Sequence, residues 1–301
     1  MHDPIETLKC QFELHRFCDF VGISHTGYAI EKHLGILRVN HDSGLTEGNK
    51  KFERAFKGKH VTTDRTMRSL YTVEGFHSSS QLRIWDALQA NVDGNNVHWN
   101  TFNGNLEHRI RAYICQLDQL NEHSNVDELI TYYTCIDRLN TPDAFATLIY
   151  LLRCNTWYET SIFRYETMQR FVFSFYLRAA NWLMFKHVRV ELYQYMVKHI
   201  VLPIFDNEVN ERDGILPCWK FSEDYLQKIF SRLDSCFDTI VEMTELQTDQ
   251  QQMALQYWLS KSNVFHLLRD LSLFLNDKPL PNNSEFGLAW LTENLKNDSI
   301  I

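Results

Sequence analysis

Glycine is almost missing from the last two thirds of this chain. Nine of its eleven glycines lie in residues 1–104, and the stretches 143–202 and 218–278 hold neither Gly nor Pro. Nothing in those stretches frees the backbone as Gly does or removes an amide donor as Pro does, so both are expected to run as long helices. The first third must turn often. The seven cysteines are odd in number and scattered, with no Cys-x-x-Cys pair. That argues against a disulfide framework or a zinc knuckle and fits a reducing cytosol. The start Met1-His2-Asp3-Pro4-Ile5-Glu6 is acidic where a signal peptide would be basic, and no apolar run follows it. The most apolar run, Phe171 to Phe185, carries Arg178 in its middle and is shorter than the roughly 20 residues that cross a bilayer. A buried helix is expected there, with no membrane partner and a cytoplasmic location.

Chemical signatures are also scarce. No Gly-x-Gly-x-x-Gly, Walker A, His-Glu-x-x-His or Gly-x-Ser-x-Gly pattern occurs, so the usual nucleotide cradles, zincin sites and hydrolase elbows are not expected. No catalytic residues, metal site or cofactor follow from the sequence, and a non-enzymatic role is the leading reading. His187 and Glu191 lie one helical turn apart and can bind a metal if another helix supplies ligands. Alone, they read as a solvated ion pair beside Lys186 and Arg189.

What is present is a dense series of helix signals. Pro4 to about Val21 and Thr26 to Leu34 are expected as helices, and Ser78-Ser79-Ser80 can cap another that carries Leu82, Trp85 and Leu88. Asn105 and Asn125 offer caps for Leu106, Ile110, Tyr113, Leu117 and Leu120, then for Leu129, Tyr133, Ile136 and Leu139. Thr141-Pro142 is a start signal, because Pro in the first turn loses no intrahelical bond, and that helix should reach about Tyr158. After a break near Thr160 or Ser161, an aromatic-rich helical segment continues to Leu202 and is stopped by Pro203. Ser222, Thr248 and Ser284 open three more. The fold expected is all-α: a small helical domain over 1–95, a linker over 96–104, and an antiparallel helical bundle over 105–301.

The net charge of −8 is uneven, since residues 1–104 carry twelve basic and twelve acidic side chains. The excess of acid therefore sits in the second part, and any nucleic-acid surface must be local. One segment qualifies. Residues 49–68 hold Lys50, Lys51, Arg54, Lys57, Lys59, Arg65 and Arg68 against only Glu53 and Asp64. Phe52 to Lys59 reads as a short helix closed by Gly58, and Thr62 to Leu70 as a capped helix.

Residues 49–75 resemble the distal part of Cro/Xre-type helix-turn-helix domains, where a recognition helix is followed by a Gly-Lys turn, a Thr or Ser cap and a supporting helix. The resemblance implies a recognition helix in the major groove and a basic turn on phosphates. In that family the preceding helix ends a few residues upstream, whereas here Leu34-Gly35 is the nearest such end. A second register, Phe17 to Ser24, looks like the first helix and turn of the same motif, and the two registers exclude each other. Arg54 and His60 also have the Arg-x5-His spacing that resembles HEPN-type ribonucleases, although Gly58 falls between them.

The stripe Arg170, Ser174, Arg178, Asn181 runs at four, four and three spacing through the aromatic helix. It is either the wet face of that helix or a groove for an anionic ligand or a partner helix. The reading carried forward is a regulatory DNA-binding protein whose acidic bundle senses a partner or ligand, or dimerises. A helical protein-interaction scaffold and a HEPN-like nuclease are the alternatives.

Overall fold

A computed structural model of the protein describes residues 3–39, 46–47, 50–89, 102–117, 126–139, 141–153, 162–180, 184–202, 217–231 and 234. Its first helix, α1 (Pro4–Val21), is set by both of its ends. The Asp3 carboxylate accepts from the Ile5 amide at 3.0 Å, and Gly22, at φ 69°, closes the helix. The Gly22 and Ile23 amides donate back to the Asp19 and Cys18 carbonyls. Only a residue tolerant of the left-handed region turns the chain so sharply there. Thr26 then caps α2 (Gly27–His33) by accepting from the Ala29 amide at 3.1 Å.

A two-residue antiparallel ladder, β1 (Arg38–Val39) with β2 (Thr46–Glu47), leads into α3 (Lys51–Phe56) and α4 (Asp64–Leu70). Apart from this ladder, the described elements are helical, as expected. The later elements are α5 (Arg83–Gln89), α6 (His108–Leu117), α7 (Val126–Leu139), α8 (Pro142–Arg153), α9 (Ile162–Ala179) and α10 (Arg189–Met196), followed by a helix over 223–231.

Helix α8 is the hub. Pro142 opens it, the Thr141 hydroxyl accepts from the Ala144 amide at 3.2 Å, and every residue from Ala144 to Leu152 is buried. A helix apolar on all sides has to be surrounded, and α5, α6, α7 and α9 all pack on it.

Two hydrophobic cores meet on α1. Ile5, Leu8 and Phe12 join the larger one, built with α5 to α10, whereas Cys10, Leu14, Phe17 and Cys18 join a smaller one with Ile30, Phe52, Ala55, Leu70 and Phe76. Residues from both sides of the expected linker therefore share one core. Spacings of three and four place the two sets on opposite sides of the helix.

The expectation that the aromatic segment runs unbroken from about 161 to Leu202 is corrected. Helix α9 ends at Ala179, residues 184–188 form turns, and α10 begins at Arg189, passing into a π-turn over Val197–Val201. No Gly or Pro marks the break. Tertiary bonds hold it: the Tyr176 hydroxyl donates to the Arg189 carbonyl at 2.7 Å, and the Arg189 guanidinium pairs with both oxygens of Asp234 at 3.1 and 2.6 Å. The helices expected from Thr248 and Ser284, the cap at Asn125 and the break near Thr160 or Ser161 lie outside the described residues.

Phe12 is the joint between α1 and the larger core. Its ring is fully buried, edge-on to Trp85 at 5.1 Å and 5.2 Å from Phe185. Replacing Phe12 by Ala should cost about 3–5 kcal/mol through lost burial and the cavity left behind. Urea midpoints at constant m-value measure this, and a loss under about 1 kcal/mol would show that α1 is not held through this ring.

Candidate metal centre and basic face

Along α1, the stripe that faces the larger core continues Leu8, Phe12, His15, Asp19 at spacings of four, three and four. Its apolar residues give way to polar ones toward the C-terminal end. Across from it, the turn after α9 supplies Phe185 and His187. Phe185 packs on Phe12, and the His187 ring stacks on His15 with centroids 4.9 Å apart and planes 9° from parallel.

The third member comes from the short link between α1 and α2. Because Gly22 turns the chain back and Thr26 must cap α2, His25 is held beside α1, with its Nδ1 2.8 Å from the His15 Nδ1. Its ring lies 4.0 Å from that of His187. One nitrogen from each of His15, His25 and His187 falls within 4.8 Å of the others.

Asp19 fixes the tautomers. Its Oδ1 lies 2.9 Å from the His25 Nε2 and 3.5 Å from the His187 Nε2. With the His25 Nε2–H donated to the carboxylate, the His25 Nδ1 carries a lone pair and accepts from the His15 Nδ1–H. Two ring nitrogens already meet at the centre of the cluster.

The environment favours the neutral form of two of the rings, His15 and His187. Burial, then the neighbouring His187 and His25, push His15 down from 6.5 to about 3. Burial, then His25, also lowers His187, while Asp19 opposes the shift. Neutral imidazole is the form that ligates metals. His187 also borders an open cleft of about 630 Å³, lined with charge by Lys186, Arg189, Glu191, Glu223 and Asp234.

Spacing alone pairs His187 with Glu191. The cluster instead joins His187 to His15 and His25, and Lys186 and Arg189 turn to Asp234. His15 and Asp19 were missed from sequence, although polar residues at helical spacing on an apolar stripe are a signal that could have found them. His25 and the fold of the turn that carries His187 had no local signal.

All seven basic residues of the 50–68 segment, Lys50, Lys51, Arg54, Lys57, Lys59, Arg65 and Arg68, are exposed. The expected short helices are present. Gly58, at φ 63°, ends the first, and the Thr63 hydroxyl caps the second. Apolar Phe52, Ala55 and Leu70 point inward. Helix α3 is clamped from behind: Gln11 donates to the Phe56 carbonyl at 2.9 Å, and the Phe56 ring stands edge-on to His15 at 4.8 Å. At Gly27 the backbones of α2 and α3 approach so closely that a Cβ would collide with the Glu53 nitrogen and the Phe52 carbonyl carbon. Lys57 is ion-paired with Glu53 at 2.7 Å.

Arg170, Ser174 and Arg178 lie on α9, but their side chains, and all of Asn181, are outside the described residues. His60 follows Gly58, off the helix that carries Arg54. No family model, curated protein or solved structure matches the chain. Among the described residues, no helix is long and apolar enough to cross a membrane.

The depressed His15 value sets a pH dependence. The native ring binds fewer protons than the unfolded one, so its contribution is fully present above about 6.5 and is lost as the pH falls toward about 3. Wild-type protein should lose more stability than His15→Gln between about pH 7.5 and about pH 5. Urea midpoints at the two pH values measure it, and equal losses would mean that the ring is not buried neutral.

Proposed function

We propose that the protein is a regulatory DNA-binding protein that grips phosphates through α3, α4 and the turn joining them. The observation that carries this reading is the segregation within residues 50–68: seven cations face solvent while the apolar residues of the same two helices enter the smaller core. A local cluster of this kind in an acidic chain holds a polyanion by releasing its counterions. The clamp on α3 from Gln11, His15 and the close approach at Gly27 supports a rigid presentation, as the resemblance to Cro/Xre-type domains requires. In this reading the helices from α6 onward form an antiparallel bundle that dimerises or senses a partner or ligand. The interaction-scaffold reading draws on Phe20 and Tyr28, each 51% exposed on α1 and α2.

Reversing Lys59 and Arg65 together to Glu should weaken duplex binding at least tenfold and flatten the salt slope by about 2, from a ceiling near −6 for seven contacts. The melting temperature should stay close to wild type, because exposed charges contribute little to folding. Fluorescence anisotropy at several salt concentrations is the measurement. Salt-insensitive or absent binding by the wild type would leave the scaffold reading in its place.

A further inference from the structure

The geometry points to a metal site: His15, His25 and His187 together bind one divalent ion of the zinc class, with Asp19 as the positioning residue. The inference does not depend on DNA binding. Three imidazoles are brought to one point from α1, from the α1–α2 link and from the turn before α10, the last of them 162 residues beyond the second.

In the metal-free arrangement, the two Nδ1 atoms share a proton at 2.8 Å. A tetrahedral ion with Zn–N bonds of about 2.0–2.1 Å separates its nitrogens by about 3.3 Å. Moving the rings apart by a few tenths of an ångström therefore opens the pair onto an ion, and the His15 proton passes through solvent from Nδ1 to Nε2, so that the ligating ring stays neutral. His187 offers the third corner: its ring nitrogen lies within 4.8 Å of the other two, up to about 1.5 Å wider than the tetrahedral separation, so its partly exposed ring swings inward to reach the ion. The Nε2 side of His25 is held by Asp19 at 2.9 Å, the carboxylate–histidine–metal arrangement that orients a ligating ring and raises its basicity.

All three donors are imidazole nitrogens, which suits Zn, Co, Ni or Cu and disfavours Mg or Ca. Three protein ligands leave a fourth position for water. It lies toward solvent, since the His25 and His187 side chains are 28% and 32% exposed. The ion would link the C-terminal half of α1 to the turn before α10, and through the His15–Phe56 contact it would sit directly behind α3.

The test uses untagged, full-length protein stripped with a chelator. Calorimetric titration with ZnCl₂ should give one ion per chain and a raised melting temperature, by linkage. Co²⁺ should give the visible absorption of a four-coordinate site, and Mg²⁺ should leave the melting temperature unmoved. His25→Gln and His187→Gln should each lower Zn²⁺ affinity by more than the ten- to hundredfold typical of losing an outer partner, and Asp19→Asn by about that ten- to hundredfold. His108→Gln, at an exposed position on α6, should bind like the wild type.

His187 lies on the open side of the cluster, so its variant keeps the test decisive if a change nearer α1 unfolds the chain. Each variant is first melted in chelator to show that it folds. The absence of saturable Zn²⁺ binding by folded wild type, or equal binding by the His25 and His187 variants, would overturn the assignment.

Discussion

The architecture depends on one helix burying two faces at once. Helix α1 sends Ile5, Leu8 and Phe12 one way and Cys10, Leu14, Phe17 and Cys18 the other, so neither core is complete without it. A helix held on both sides cannot rotate to suit one of them. That constraint fixes where His15 and Asp19 point, and it presents a rigid wall for α2 and α3. The Asp3 cap and the Gly22 turn set the length of the wall, and the turn delivers His25 to its foot.

Polar residues at the end of an apolar stripe carry a cost unless they find partners. Here each ring finds one: His15 meets His25, Asp19 meets His25 and His187, and the stacked His15 and His187 rings continue the packing that Phe12 and Phe185 begin. With His15 and His187 shifted toward the neutral form, the cluster gathers imidazole lone pairs beside one carboxylate. The same corner supports Phe56, so the back of α3 and the histidine cluster share one side-chain contact.

The local punctuation was legible in the sequence and the long-range docking was not. Pro4, Gly22, Thr26, Gly58, Thr63 and Pro142 each act within a few residues through caps and left-handed turns, and the elements they bound stand where their chemistry puts them. The break after Ala179 is different. Nothing in residues 180–188 forbids a helix; the chain leaves it because Tyr176, Arg189 and Asp234 form better bonds across the turn, and these are tertiary partners that no local pattern encodes. His187 reaches His15 only through that break. The basic segment could be found because charge is counted locally, whereas the histidines are 10 and 162 residues from one another along the chain and their meeting is a property of the fold.

Native-state hydrogen exchange tests most directly the claim that α1 is shared. If the two cores are one cooperative unit through α1, the slowest amides of residues 8–18 should exchange with the same free energy as those of residues 144–152 in α8, and both should match global unfolding. If residues 10–18 exchange together with 52–70 at a clearly lower free energy while α8 stays protected, the smaller core opens on its own and the account of α1 is contradicted.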